Sequence, residues 1–182
     1  IEERLGRKEE ATAAIRLARD GFAALAADFP ASRAHRRDLA TCHHNLGILL
    51  ARLGRLREAE AAFRAAVAVQ EKLAADFPAL PESRSELARS HSSLGLLLTN
   101  SGRRAEAEAA YRAALAVQEK LAADFTAKLA YRAHLAMSHD NLGALLANLR
   151  RQEEAETAFR AAFAIWERLV ADAPAAPEYR LR

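Results

Sequence analysis

The chain has 182 residues, 51 % of them apolar and 28 % charged, with a formal net charge of +3, seven glycines, five prolines and one cysteine. That is ample material for a continuous core, and the dominance of Ala, Leu, Glu and Arg, all strong helix formers, predicts a chain that is nearly all helix. A lone Cys42 excludes an internal disulfide framework and any CxxC metal or redox site, and no apolar run nears the roughly 18 residues of a membrane span, so the expectation is a soluble, cytoplasmic protein.

In chain order, residues 1–30 read as a partial unit, mostly a second helix, in which Ile1 falls in the register of Leu49 and Gly6 in that of Gly54. The register comes from a repeat: NLG at 45–47, SLG at 93–95 and NLG at 141–143 put glycines at 47, 95 and 143, a step of 48 each time. Complete units are expected at 31–78, 79–126 and 127–174, with 175–182 opening a further one. Each unit reads as two helices. The first carries Leu39, His43, Leu46, Leu50 and Leu53 as one inward stripe; the second carries Ala59, Ala62, Phe63, Ala66, Val69, Leu73 and Phe77. Gly54 and Gly102 end the first helices and turn the chain back. Prolines in DFPALP (76–81) open the next helix, and where Pro30 and Pro78 would recur, Thr126 is expected to cap. Glu60–Arg64, Glu108–Arg112 and Glu156–Arg160, four apart, are read as marking the solvent face of the second helix.

The recurring set Leu46, Gly47, Leu50, Gly54, Ala59, Phe63 and Ala66 resembles the signature of the tetratricopeptide repeat family, over essentially the whole chain. Two departures are visible: His43, His91 or His139 stands where the family has an aromatic, and the period is 48, not the 34 typical of the family. The added residues fall between Ala66 and Leu94, about four helical turns, which lengthens the hairpin arms and keeps each stripe on its face. This long form is similar to the repeats of kinesin light chains and to arrays attached to large bacterial signalling proteins. The resemblance implies an α-solenoid of antiparallel helix pairs, about seven helices in a right-handed superhelix. It also implies a concave groove, lined by the first helices, that holds peptide or protein segments.

At 100° per residue, one stripe of each first helix lies opposite the inward one. It holds Thr41, His44, Asn45, Ile48 and Arg52, then Arg89, Ser92, Ser93, Leu96 and Asn100, then Met137, Asp140, Asn141, Ala144 and Asn148. Amides, hydroxyls and short apolar groups suit an extended peptide, and the same residues also suit an idle solvated surface. Asn45 and Asn141 occupy positions where the family often uses Asn to hold a peptide.

No catalytic set, metal site or cofactor motif is expected. His43, His91 and His139 recur once per unit on helices whose axes pack no closer than roughly 8–10 Å, so they read as core histidines and not as a metal ladder. Cys42 aligns with Ser90 and Ser138 and reads as a packing residue. Trp166 and Phe163 replace Gln70 and Val67, to pack on the first helix of a next repeat or to anchor a partner. The locally basic SRAHRRD (32–38) reads as solvated surface first and as an anion contact second. Paired charges and scattered aromatics argue against nucleic acid. Two functions follow: a non-catalytic scaffold for peptide or protein segments, or a structural spacer that self-associates through open repeat ends.

Overall fold

The computed structural model describes the backbone of residues 2–173 and the side chains of 6–173; the expected start of a further repeat lies outside the described residues. Among them are seven helices and no strand: α1 (Glu2–Asp28), α2 (Arg33–Arg52), α3 (Leu56–Asp76), α4 (Pro81–Asn100), α5 (Arg104–Asp124), α6 (Leu129–Asn148) and α7 (Gln152–Asp172). Each helix packs on the one before and the one after it, and α4 also touches both α2 and α6. The result is a solenoid of the pairs α2–α3, α4–α5 and α6–α7, with α1 laid against α2.

Three-residue turns join the members of each pair, and glycine makes them possible. Gly54 and Gly102 adopt φ of +75° and +74°, a left-handed conformation that costs a residue without Cβ little. Around them the amide of Gly54 donates to Ala51 O (3.0 Å) and that of Arg55 to Leu50 O (2.9 Å), the paired bonds of a Schellman motif. Arg150 takes the same place in the third pair with φ of 62°. Gly6 makes no such turn, because α1 runs straight through it. The Glu, Arg, Lys and Ala neighbours of Gly6 favour continuing the helix.

The connections between pairs depend on their individual caps. Ser32 caps α2, its Oγ accepting from the His35 amide (3.5 Å), and Pro81 sits in the first turn of α4. Thr126 does not cap α6. It lies in the turn ahead of Lys128, whose side chain makes no cap bond either, too early in the chain for its hydroxyl to act as the N-cap. An ion pair then ties each first helix to the end of its own second helix: Arg36–Asp76 (2.6 Å), Arg84–Asp124 (2.8 Å) and Arg132–Asp172.

One core runs through the three pairs. Leu46, Leu50, Phe63, Leu94, Leu98, Tyr111, Leu142 and Leu146 belong to a single buried cluster that no pair closes by itself. Helices cross tightly at Gly47, Gly95 and Gly143, where a Cβ would stand 2.7–2.9 Å from the ring of Phe63, Tyr111 or Phe159. Along the second-helix side the joints carry arginine clips. Arg103 grips Glu106 with Nε (2.7 Å) and Nη2 (2.5 Å) while its Nη1 reaches back to Glu60 of the preceding pair (2.5 Å). Arg151 does the same with Glu154 and Glu108. Glu60 and Glu108 therefore mark the joints between repeats and not an open solvent face: their side chains are only 19 % and 11 % exposed.

Candidate binding face of the first helices

The stripe opposite the core is displayed on α2, α4 and α6. Asn45, Arg52, Arg89, Leu96, Asn100, Met137, Asn141, Ala144 and Asn148 are exposed, and Thr41, Ile48, Ser92, Ser93 and Asp140 are half-buried. His44 is the exception, buried at 2 % exposure. A helical wheel places it on the stripe, but it stands at the stripe's edge, where the neighbouring first helix covers it.

The covered edge forms a polar seam between successive first helices. His44 Nδ1 hydrogen-bonds Ser90 Oγ (3.0 Å), and its ring meets Phe63 edge to face at 5.6 Å. Burial, and then the nearby Arg89 charge, push its pKa down to about 4, so the imidazole is neutral at pH 7. One repeat on, Ser92 Oγ faces Ser138 Oγ at 3.4 Å. At the third position Asp140 Oδ2 accepts from Trp166 Nε1 (3.1 Å). Trp166 packs inside its own pair, with Ala133, Ala136, Ala162 and Leu169, and the first helix of a next repeat lies outside the described residues.

Between α4 and α6, above α5, the face opens into a cavity of about 400 Å³. Arg89, Ser92, Met137 and Asn141 were expected on this face; Ser85, Glu86, Gln118, His134 and Ser138 complete the lining. Gln118, on a second helix, could have been suspected from the sequence. Gln70 and Gln118 fall at equivalent positions within otherwise apolar surroundings, and both are buried. Burial raises the pKa of Glu86, opposed by the charges of Arg89 and Arg37. Burial lowers that of His134, and Arg89 adds to the effect.

On the opposite side, His43 and His91 are half-buried at the floors of two equivalent slots of about 260 and 270 Å³, walled by Ala61 and Ala65 or by Ala109 and Ala113. Burial lowers the pKa of His43, His91 and His139. Among the described residues no three His, Cys, Asp or Glu side chains gather as metal ligands, and no helix is long and apolar enough to cross a membrane.

A family model for the tetratricopeptide repeat matches residues 39–79, 87–124 and 135–173. Solved structures similar to the chain include that of BtubC (BKLC) from P. vanneervenii, with a TM-score of 0.63 at 23 % identity over 89 % of this chain and 58 % of that one. At that identity the likeness is one of fold, and this chain spans little more than half the length of that protein. No curated protein matches the sequence.

Proposed function

The chain belongs to the tetratricopeptide repeat family, and we propose that it is a non-catalytic scaffold that holds an extended peptide or protein segment along the exposed stripe of α2, α4 and α6. The observation that carries this reading is the company kept by two large apolar residues. Leu96 (56 % exposed) and Met137 (38 % exposed) stand uncovered on helices whose opposite faces are buried, flanked by Asn45, Asn100, Asn141 and Asn148. An asparagine amide both donates and accepts, so it can fix a peptide backbone while apolar neighbours take its side chains. Screening the whole chain against an immobilised library of extended peptides tests this. Binders are expected, and the Asn45→Ala, Asn141→Ala, Asn148→Ala triple variant should lose them. Binding that survives the triple variant unchanged would sink the reading.

The second reading, a spacer that stacks on further copies, has its own observation. Phe159 and Phe163 on α7 are 40 % and 63 % exposed, whereas their equivalents Phe63, Tyr111, Val67 and Leu115 are covered by a following helix. If stacking is the role, sedimentation shows concentration-dependent association that Phe163→Glu abolishes. A wild-type chain that stays monomeric at high concentration argues against it.

A further inference from the structure

Because the pairs repeat in register, one joint shows what the next is missing. Between α2 and α4 the imidazole of His44 fills the seam, resting on Phe63 and bonding Ser90. Between α4 and α6 the corresponding residues are Ser92, Tyr111 and Ser138. Ser92 has no ring to fill that space, its hydroxyl meets Ser138 only at 3.4 Å, and the cavity opens there.

Two groups in the lining, the buried Gln118 and the half-buried Glu86, have buried polar atoms without partners. Gln118, only 6 % exposed, leaves Oε1 unbonded, and Glu86 leaves Oε2 unbonded. Both atoms are acceptors, a buried acceptor without a donor is costly, and Glu86 brings negative charge. The guest that completes such a site is a donor with positive charge and an apolar stem. Met137 offers its thioether to that stem at the mouth. Burial raises the pKa of Glu86, while Arg89, exposed at the rim, and Arg37 oppose that rise, and a bound cation adds to them in favouring the ionised carboxylate.

We propose that the cavity between α4 and α6 is a specificity pocket for a cationic side chain, lysine or arginine, of the bound segment, with Glu86 and Gln118 accepting its hydrogen bonds. The proposal rests on the scaffold reading above and gives it one preferred side chain at one position.

Met137 is the chain's sole methionine, so ε-methyl ¹³C labelling of the full chain gives a single reporter in the pocket wall. Titration with n-butylammonium chloride, a lysine side chain without its backbone, should move that signal saturably, with a dissociation constant on the order of millimolar for so few heavy atoms. Butan-1-ol, its neutral counterpart, should not. Glu86→Gln should weaken the response about tenfold, since the charge of the pair is then gone. Ser92→His should abolish it by placing at this joint the ring that His44 places at the previous one, where the same fold accommodates it. A methyl signal that stays still, follows butanol equally, or responds alike in Glu86→Gln overturns the proposal. The peptide library separates this from the parent reading. Library binders without a preferred Lys or Arg, together with a silent methyl, sink the pocket and leave the face. A butylammonium response with no peptide binding shows a cation site in the cavity but overturns its role toward a bound segment together with the face.

Discussion

Gly47 and Gly143 occupy equivalent positions, yet replacing them should have different effects. A Cβ at Gly47 would meet the Phe63 ring at 2.7 Å, and Phe63 is 2 % exposed with nowhere to go. Overpacking of that kind costs about 1–3 kcal/mol, against about 1 kcal/mol that alanine returns in a helix. Gly47→Ala should therefore lose up to about 2 kcal/mol in chemical denaturation. Gly143→Ala should be neutral or slightly stabilising, because Phe159 is 40 % exposed and its ring can move aside. His44 gives a pH dependence. Its folded pKa, about 4, lies below the ordinary value near 6.5, so between the two the unfolded chain binds more protons and stability falls as the solution is acidified. Denaturation midpoints at pH 7.5 and pH 5 should differ more for wild type than for His44→Gln, the remainder coming from the other buried histidines. Equal differences would contradict it. The small residues between helices were legible because their pattern recurs. The burial of His44 was not, since it depends on a neighbour 46 residues away.

Helix ends and helix joints follow the same division. Gly54 and Gly102 announce their turns, and the third pair makes the same turn with Arg150 at φ 62°, where an L side chain crowds the following carbonyl. Arg150→Gly should raise stability by about 0.5–1 kcal/mol, read as a higher denaturation midpoint with unchanged slope; no gain would mean that packing has already relieved the strain. Where no single residue type was required, local reading failed. Thr126 has the chemistry of a cap but stands too early in the turn, and Gly6, in the register of Gly54, lies inside a helix that its neighbours carry through it. The arginine clips escaped for another reason. The spacing of Glu60 and Arg64 suggests an exposed pair within one helix, and only the stacked helices bring Arg103 onto the same carboxylate.

At the scale of the molecule, the repeat in the sequence already implied pairs that cannot bury their apolar stripes alone, and the buried cluster from Leu46 to Ala155, shared by all three pairs, has that character. What the repeat could not convey is which joints are filled and which are open, because that turns on one substitution, His44 against Ser92, within a shared backbone. In such an array stability is close to a sum of unit and neighbour terms, so length decides whether the fold exists. The direct measurement is chemical denaturation, followed by circular dichroism, of the fragments 31–78, 31–126 and 31–174 beside the full chain. The account predicts that 31–78 is unfolded, that 31–126 is marginal, and that 31–174 unfolds cooperatively with a midpoint approaching that of the full chain. A fragment 31–78 that folds by itself as stably as the full chain would contradict it.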